Sequence, residues 1–312
     1  MKFIIFILIL FVSNSVLSKR IDFIFDIDGV LVDRANKETV KHLYPPEKLE
    51  LLKSAGRVLE LNEHIYILNN GAEELVEYLS EIPDAKITFF STGPRDRNEI
   101  FLNHFKLNNG KKFIDVSEGR LFSNEDALEL SKLDDYSKTN YQSRINEFVG
   151  PVKKDLTLIN GIDLESAILI DDRVVNAARG QEKNLLKVDL SLTREKPTAV
   201  LNYFLKEVKD KPMSYIGRHF YNWNNRLMIT AGIIDQVLKV SKLEKISTRD
   251  ALWRTQWEKK SGSLTYKLTN SLKPEIFIRR GEEIFYKLNN RFKSINTGIY
   301  ICDYHRIFRS SY

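Results

Sequence analysis

The sequence predicts an α/β fold in which a doubly wound parallel sheet carries helices on both faces. Three apolar runs of strand length, at residues 21–26, 86–90 and 167–170, each end abruptly at polar residues. A segment with the apolar spacing of an amphipathic helix, residues 71–82, separates the first two runs. Buried strands that alternate with helices are typical of parallel sheets. Functional side chains of such sheets are expected just beyond the carboxyl ends of the strands.

The first apolar run ends in two aspartates, Asp26 and Asp28, and Gly29 follows them at once. Side chains alternate faces along a strand, so carboxylates two residues apart point the same way. Gly29 gives the backbone the freedom to turn sharply there. Two carboxylates held together repel unless a cation lies between them, and Mg²⁺ prefers such ligands. A carboxylate is also a nucleophile in phosphoryl transfer. The alternative is a solvated strand end with scattered acids.

The second apolar run ends in hydroxyl side chains, Ser91 and Thr92, followed by Gly93 and Pro94. Pro94 suits the first position of the helix predicted from about Asp96 to Phe105, with Ile100, Phe101 and Phe105 facing inward. A hydroxyl at this position can donate to a phosphate oxygen, and the helix N-terminus adds unpaired N–H donors.

The third apolar run ends in an acidic pair, Asp171 and Asp172. Lys154 lies 17 residues before Asp171, on a predicted helix over residues 152–159. Each of these signals is weak alone. An Asp-x-Asp, a Ser, a Lys and an acidic pair at successive strand ends form a strong combination.

In this order the motifs resemble those of the haloacid-dehalogenase-like (HAD) hydrolases, which have a Rossmann-like doubly wound sheet. The closer resemblance is to the NLI-interacting-factor-like branch, phosphatases that act on the carboxy-terminal domain of RNA polymerase. It covers roughly residues 21–190 and is carried by the segments 70–79, 119–123, 154–156 and 170–172. The sequence departs from that branch at Gly29-Val30, where Glu-Thr is usual, and at Asn69-Asn70-Gly71, where Arg-Pro-Gly is usual.

The resemblance implies a phosphomonoesterase that acts through an aspartyl-phosphate. Asp26 is the expected nucleophile, and Asp28 is expected to protonate the leaving group and then activate water. Ser91 and Lys154 are expected to hold the phosphoryl oxygens. Thr92 and Lys153 are the alternatives if the register shifts by one residue.

The same resemblance implies Mg²⁺ as the cofactor. The expected ligands are Asp26, the backbone carbonyl of Asp28 and the Asp171/Asp172 pair, with Asp172 as the direct ligand. Gly29, together with Ser91, Thr92 and Lys154, is expected at the phosphate.

The expected substrate is a phosphorylated protein or peptide. The resemblance implies this, and residues 33–64 and 108–150 are long enough only for a small cap over the site. A secreted acid phosphatase or nucleotidase acting on small phosphate esters is the second interpretation. A catalytically degenerate HAD fold that serves as a binding module is the third.

The N-terminus has the layout of a secretory signal peptide. Ten apolar residues, 3–12, follow Met1-Lys2, and small or β-branched residues precede Lys19. The run is short for a membrane span. The alternatives to a signal peptide are an uncleaved anchor or a buried strand. We expect cleavage after residues 1–18 and export to the periplasm or the medium. Cys302 is the single cysteine, so an intrachain disulfide is excluded.

The chain is expected to continue from a phosphatase domain over residues 19–190 into a helical module over 191–312. The second part has no strand-end acid motif, so we expect it to assist substrate or partner choice without a catalytic residue. The formal charge of +6 favours a solvated basic surface over a nucleic-acid or lipid site. We expect no nucleic-acid partner and no membrane contact beyond the signal peptide. The sequence does not predict the oligomeric state.

Overall fold

The protein is described from a computed structural model, which describes residues 20–37, 40, 44–129, 152–188, 221–222, 224–260, 263–266 and 275–289. Its strands are β1 (Ile21–Phe25), β2 (Val32–Asn36), β3 (Val58–Leu61), β4 (His64–Leu68), β5 (Ala85–Phe90), β6 (Leu121–Phe122), β7 (Leu128–Glu129), β8 (Val152–Lys153), β9 (Ala167–Asp171), β10 (Leu185–Lys187), β11 (Trp257–Lys260) and β12 (Ser263–Tyr266). Its helices are α1 (Pro46–Ser54), α2 (Ala72–Ser80), α3 (Arg95–His104), α4 (Phe113–Val116), α5 (Arg226–Glu244), α6 (Thr248–Gln256) and α7 (Glu275–Asn289).

Five parallel strands form the main sheet in the order β10-β9-β1-β5-β6. The predicted α/β class with a doubly wound parallel sheet is therefore confirmed. β1 lies at the centre, with β5 on one side and β9 on the other, because its apolar residues Phe23, Ile24 and Phe25 are buried on both faces. The chain leaves β1 toward β5 and returns to β9, so the strand order reverses beside β1. That reversal is where open α/β sheets hold their ligands.

The helices beside β5 follow the sequence prediction with one exception. α2 lies within the predicted segment 71–82, and α3 begins directly after Pro94. Phe101 and Phe105 are buried as predicted, but Ile100 is 41% exposed. The buried face of α3 contains Asn98, Phe101 and Leu102. Ile100 comes two residues after Asn98 and therefore lies on the opposite, solvent-facing side of the helix.

A small antiparallel sheet, in the order β2-β4-β3, is inserted between β1 and the next strand of the main sheet. Residues 33–64, which are long enough only for a small cap, contain most of β2 together with α1 and β3. In β2, Val32, Asp33 and Ala35 are buried while Arg34 and Asn36 are exposed, so the strand has no clear apolar pattern in the sequence. In the described residues this insertion agrees with the expectation of a small cap.

The prediction of a helix over residues 152–159 is wrong. The segment forms β8 and a short 3₁₀ turn, Leu156–Leu158, that is capped by Asp155 through the backbone N–H of Thr157. Between them the main chain of Lys154 pairs with the loop after β9, at Asn176 and Ala178. These tertiary hydrogen bonds replace the local ones that a helix would have made.

The C-terminal helices α5 and α7 pack on α2, and their buried residues continue the hydrophobic core of the main sheet. Contact is so close at Gly71 that an added Cβ would lie 2.6 Å from the ring of Phe285. The predicted helical character of this region is confirmed where it is described, while the boundary at residue 190 stays a prediction. The predicted signal peptide and Cys302 lie outside the described residues. Within those residues, each helix is either too short or too polar to cross a membrane.

Candidate active site

Three carboxylates meet where β1 and β9 end. Asp26 directly follows β1, Asp171 is the last residue of β9, and Asp172 comes next. One oxygen from each lies within 4.8 Å of the others, and all three side chains are buried. The two strands are hydrogen-bonded neighbours. Their pairing continues one residue past β1, where the Asp26 N–H donates to the Ile170 carbonyl at 2.9 Å. Strand pairing therefore brings together acids that are about 145 residues apart in the chain.

Lys154 is the cation of this cluster. Its side chain is completely buried, and its Nζ lies 2.9 Å from Asp26 Oδ1 and 2.6 Å from Asp171 Oδ2. The neighbouring Lys153 side chain instead contacts the backbone carbonyl of Val175. Of the two register alternatives, the structure thus brings Lys154 to the acids.

The charges of the cluster do not balance, since one ammonium faces three carboxylates. Burial, more than any neighbour, raises the pKa of Asp26 well above its ordinary value, with Asp171 and Asp172 adding to the rise and Lys154 opposing it. Burial by itself would lower the pKa of Lys154, but the carboxylates of Asp171 and Asp26 outweigh it and the pKa is raised. Lys154 therefore stays charged, and the excess of buried negative charge favours an added cation.

Oxygen ligands packed this closely suit Mg²⁺. Asp171 is already held by several donors: its oxygens accept from the Arg173 N–H at 2.8 Å, from Asn176 Nδ2 at 2.9 and 3.2 Å, and from Lys154. These donors use both oxygens of Asp171 and fix its carboxylate beside those of Asp26 and Asp172. The structure does not place the Asp28 carboxylate in this group of three.

Asp28 and Ser91 form a second part of the site. Ser91 Oγ donates to Asp28 Oδ2 at 3.2 Å and accepts from the Gly93 N–H at 3.1 Å. Thr92, one residue further on, is half-buried. The structure thus brings Ser91, the first of the two hydroxyl alternatives, to Asp28 at the end of β5.

Gly29 forms the turn after the two aspartates. Its φ of +84° is left-handed, a conformation that side chains disfavour. Its N–H donates to the Val32 carbonyl at 2.8 Å, which folds the chain back toward β2. This turn sets the direction in which Asp26 and Asp28 leave the sheet.

Sequence reasoning missed Arg97, whose guanidinium contacts Asp28 directly through Nη2 and Oδ2. Arg97 lies in the first turn of α3, the helix that begins just after Ser91 at the end of β5. A basic residue in the first turn of a helix that starts at such a site was the available signal. The sequence does not show which arginine of this turn reaches the site, because Arg95 is also there but pairs with Asp126.

The known proteins that match this chain share little sequence with it. No protein-family model matches the chain, and neither does any curated protein. Among solved structures, a variant of the fission yeast RNA polymerase II CTD phosphatase Fcp1 bound to beryllium fluoride aligns with 11% identity and a TM-score of 0.43, over 78% of this chain and 72% of that one. Another structure, of Fcp1 as an essential RNA polymerase II CTD phosphatase, aligns with 13% identity and a TM-score of 0.45 over the same shares.

A predicted HAD-like family hydrolase from Porphyromonas gingivalis aligns with 13% identity and a TM-score of 0.30, over 60% of this chain and 98% of that one.

Proposed function

We propose that this chain is a Mg²⁺-dependent phosphomonoesterase that acts through an aspartyl-phosphate on Asp26. The observation that carries the proposal is the buried cluster of Asp26, Asp171 and Asp172 around Lys154 at the carboxyl edge of the sheet. A cluster of buried like charges is costly to fold. Its presence beside Asp28 and Ser91 favours a chemical role over a structural one.

Asp26 is oriented for attack. Its Oδ1 accepts from the Ile27 N–H at 2.7 Å and from Lys154, which leaves Oδ2 for phosphorus. In the first step the Asp26 oxygen forms a bond to phosphorus, the ester P–O bond breaks, and Asp28 gives its proton to the leaving oxygen. In the second step Asp28 takes a proton from water, which attacks the phosphoryl group and frees Asp26.

Lys154 and Ser91 stabilise the charge that spreads over the phosphoryl oxygens during both steps. Asp26, Asp172 and the Asp28 carbonyl would hold Mg²⁺, with Asp171 beside them. When bound, the metal supplies positive charge that offsets the repulsion between the carboxylates and the phosphate.

We propose a phosphorylated protein or peptide as the substrate. The motif resemblance supports this, and so does the small insertion, since the described part between β1 and β5 holds only a three-stranded sheet and the helices α1 and α2. A site without a large lid can accept a side chain that belongs to a protein.

The activity is tested with an aryl phosphate and Mg²⁺, comparing the wild type with Asp26→Asn. Asp84→Asn is a matched control, because Asp84 is exposed at the opposite end of β5 and asparagine also tolerates its left-handed φ of +60°. We expect turnover in the wild type and the control and a loss of at least about 1,000-fold in Asp26→Asn. Equal rates in all three proteins, or no turnover with any divalent metal, would overturn the proposal.

The substrate class is tested by kcat/KM values for phosphopeptides and nucleoside monophosphates on the same preparation. A preference for nucleotides above about tenfold, or about 1.4 kcal/mol, would replace the phosphoprotein proposal with a nucleotidase.

Export is proposed from the sequence of residues 1–18 alone. N-terminal sequencing of the protein from its native cells tests it. A mature chain that begins near Lys19 in an exported fraction is expected, and an intact Met1 in the cytosol would contradict it.

A further inference from the structure

We infer that Arg97 is a positioning residue of the proposed site: it fixes the Asp28 carboxyl for proton transfer to the leaving group, in a space that Gly93 keeps open. The inference rests on the proposed phosphatase function and assigns a residue to its acid–base step.

Arg97 is held between three partners. Its Nη2 contacts Asp28 Oδ2 and lies 3.0 Å from Asn98 Oδ1, and its guanidinium carbon lies 5.2 Å from the centre of the Phe101 ring. Asn98 is itself fixed, since its Nδ2 donates to the Gly93 carbonyl and to Ser123 Oγ at 3.0 Å each. A long side chain that is anchored at this many points loses the freedom of a surface arginine. The geometry therefore fixes the contact of its Nη2 with Asp28 Oδ2.

Gly93 is required for that contact. A Cβ at this position would lie 1.6 Å from Arg97 Nη2 and 2.4 Å from its guanidinium carbon. The φ of Gly93 is not left-handed, so the backbone conformation does not require glycine here. Glycine is needed because a side chain would occupy the space of the Arg97 guanidinium. Alanine would push the end of the Arg97 side chain off Asp28 without changing any charge.

The geometry selects one oxygen of Asp28. Among the described residues, the two side-chain donors that reach this carboxyl, Ser91 Oγ and Arg97 Nη2, both use Oδ2. Oδ1 is consequently left to carry the proton and to face the leaving oxygen. Without Arg97, Ser91 alone would hold the carboxyl, and it could rotate away from the line of proton transfer.

Leaving-group dependence separates this role from direct phosphate binding. Phenyl phosphate has a poor leaving group that needs a proton, whereas 2,4-dinitrophenyl phosphate has a good one that needs little help. A residue that positions the acid affects the first substrate far more than the second. A residue that binds the phosphoryl oxygens affects both alike and weakens inhibition by inorganic phosphate.

The experiment measures kcat and KM for both substrates, and inhibition by inorganic phosphate, in the full chain with Mg²⁺. The variants are Arg97→Gln, Arg97→Lys and Gly93→Ala. Arg95→Gln is the matched control, because Arg95 lies on the same helix and loses the same charge but pairs with Asp126 and the Leu121 carbonyl. Thermal unfolding of each variant verifies that it is folded.

We expect Arg97→Gln and Gly93→Ala to lower kcat/KM, which reports the phosphorylation of Asp26, by about 10- to 100-fold for phenyl phosphate and by less than about threefold for the dinitrophenyl ester. Arg97→Lys should recover part of the loss, inhibition by inorganic phosphate should change little, and Arg95→Gln should behave as the wild type. Equal losses on both substrates, weaker phosphate inhibition, or no loss in a folded variant would overturn the inference while the wild-type activity still supported the proposed function. An inactive wild type would instead refute the proposed function itself.

Discussion

Lys154 Nζ lies 2.6 Å from Asp171 Oδ2, and both side chains are completely shielded from solvent. The same ammonium reaches Asp26, the first residue after the central strand, at 2.9 Å. An ion pair buried to this extent contributes little net stability, but removing one partner is costly because the other is left uncompensated. The site is therefore coupled to the stability of the fold through Lys154.

Replacing Lys154 by methionine, which keeps the shape and removes the charge, is predicted to destabilise the protein by about 3–5 kcal/mol at neutral pH. Denaturant unfolding in the presence of a chelator measures the difference. Lys153→Met is the control and should cost less than about 1 kcal/mol, since the Lys153 side chain is only partly buried. Similar losses in the two variants would mean that the buried cluster does not depend on Lys154.

Metal binding is predicted to raise the melting temperature of the wild type, because a cation that binds only the folded chain stabilises it by mass action. Asp172→Asn should remove most of this Mg²⁺-dependent rise. Without metal, the same variant should be at least as stable as the wild type, because one of three clustered carboxylates is neutralised. Differential scanning fluorimetry with Mg²⁺ and with a chelator gives both comparisons. A full Mg²⁺ response in Asp172→Asn would remove Asp172 from the ligand set.

A second buried acid, Glu73, predicts a pH dependence of stability. Burial raises its pKa to about 7, although Arg57 Nη1 lies 2.6 Å from its Oε1 and opposes the rise. The folded state thus holds a proton that the unfolded chain releases near pH 4.5. Stability from this group is complete below about pH 4.5 and is lost as the pH rises toward 7, by up to about 3 kcal/mol.

Glu73→Gln should abolish this loss, because glutamine does not ionise. Urea unfolding at several pH values between 4.5 and 8 gives the difference between wild type and variant, which should change with pH in that window and level off above it. Glu63→Gln, at an exposed position, should leave the pH profile unchanged. A constant difference between wild type and Glu73→Gln would contradict the prediction.

The contact of α5 with α7 predicts two sensitive glycines. A Cβ on Gly232 would lie 2.1 Å from the Phe277 carbonyl oxygen, and one on Gly281 would lie 2.2 Å from that of Met228. The obstacles are backbone atoms, so either alanine variant must separate the helices, at a cost of about 1–3 kcal/mol or more. Lys242→Ala, at an exposed position of α5, should be nearly neutral. Unaffected thermal unfolding of both glycine variants would show that the helices do not pack as described.

Much of the candidate site could be predicted, because the ends of its strands are visible in the sequence as apolar runs that stop at polar residues. Asp26, Asp28 and Asp171 each stand where an apolar run stops, and a parallel sheet brings such ends to one edge. The choice between Lys153 and Lys154, however, depends on which way a two-residue strand faces. That orientation is set by main-chain pairing with the loop after β9, a contact between distant residues that local spacing does not encode.

Arg97 and the small antiparallel sheet could not be predicted for a related reason. Arg97 and Arg95 have the same residue type two positions apart, and only the turn of α3 directs one to Asp28 and the other to Asp126. One of the buried residues of β2 is the acid Asp33, and Arg34 and Asn36 are exposed, so the strand has no apolar pattern to detect.

The most direct test of the account is to locate the phosphoryl group on the chain. Asp28→Asn should still be phosphorylated by 2,4-dinitrophenyl phosphate, whose leaving group needs little protonation, but should release phosphate slowly because no base activates water. Acid quenching followed by mass spectrometry of the peptides is expected to find one phosphoryl group per chain, on Asp26. Phosphate release by the wild type with a phosphoryl group on another residue, or with none trapped in Asp28→Asn, would contradict the account.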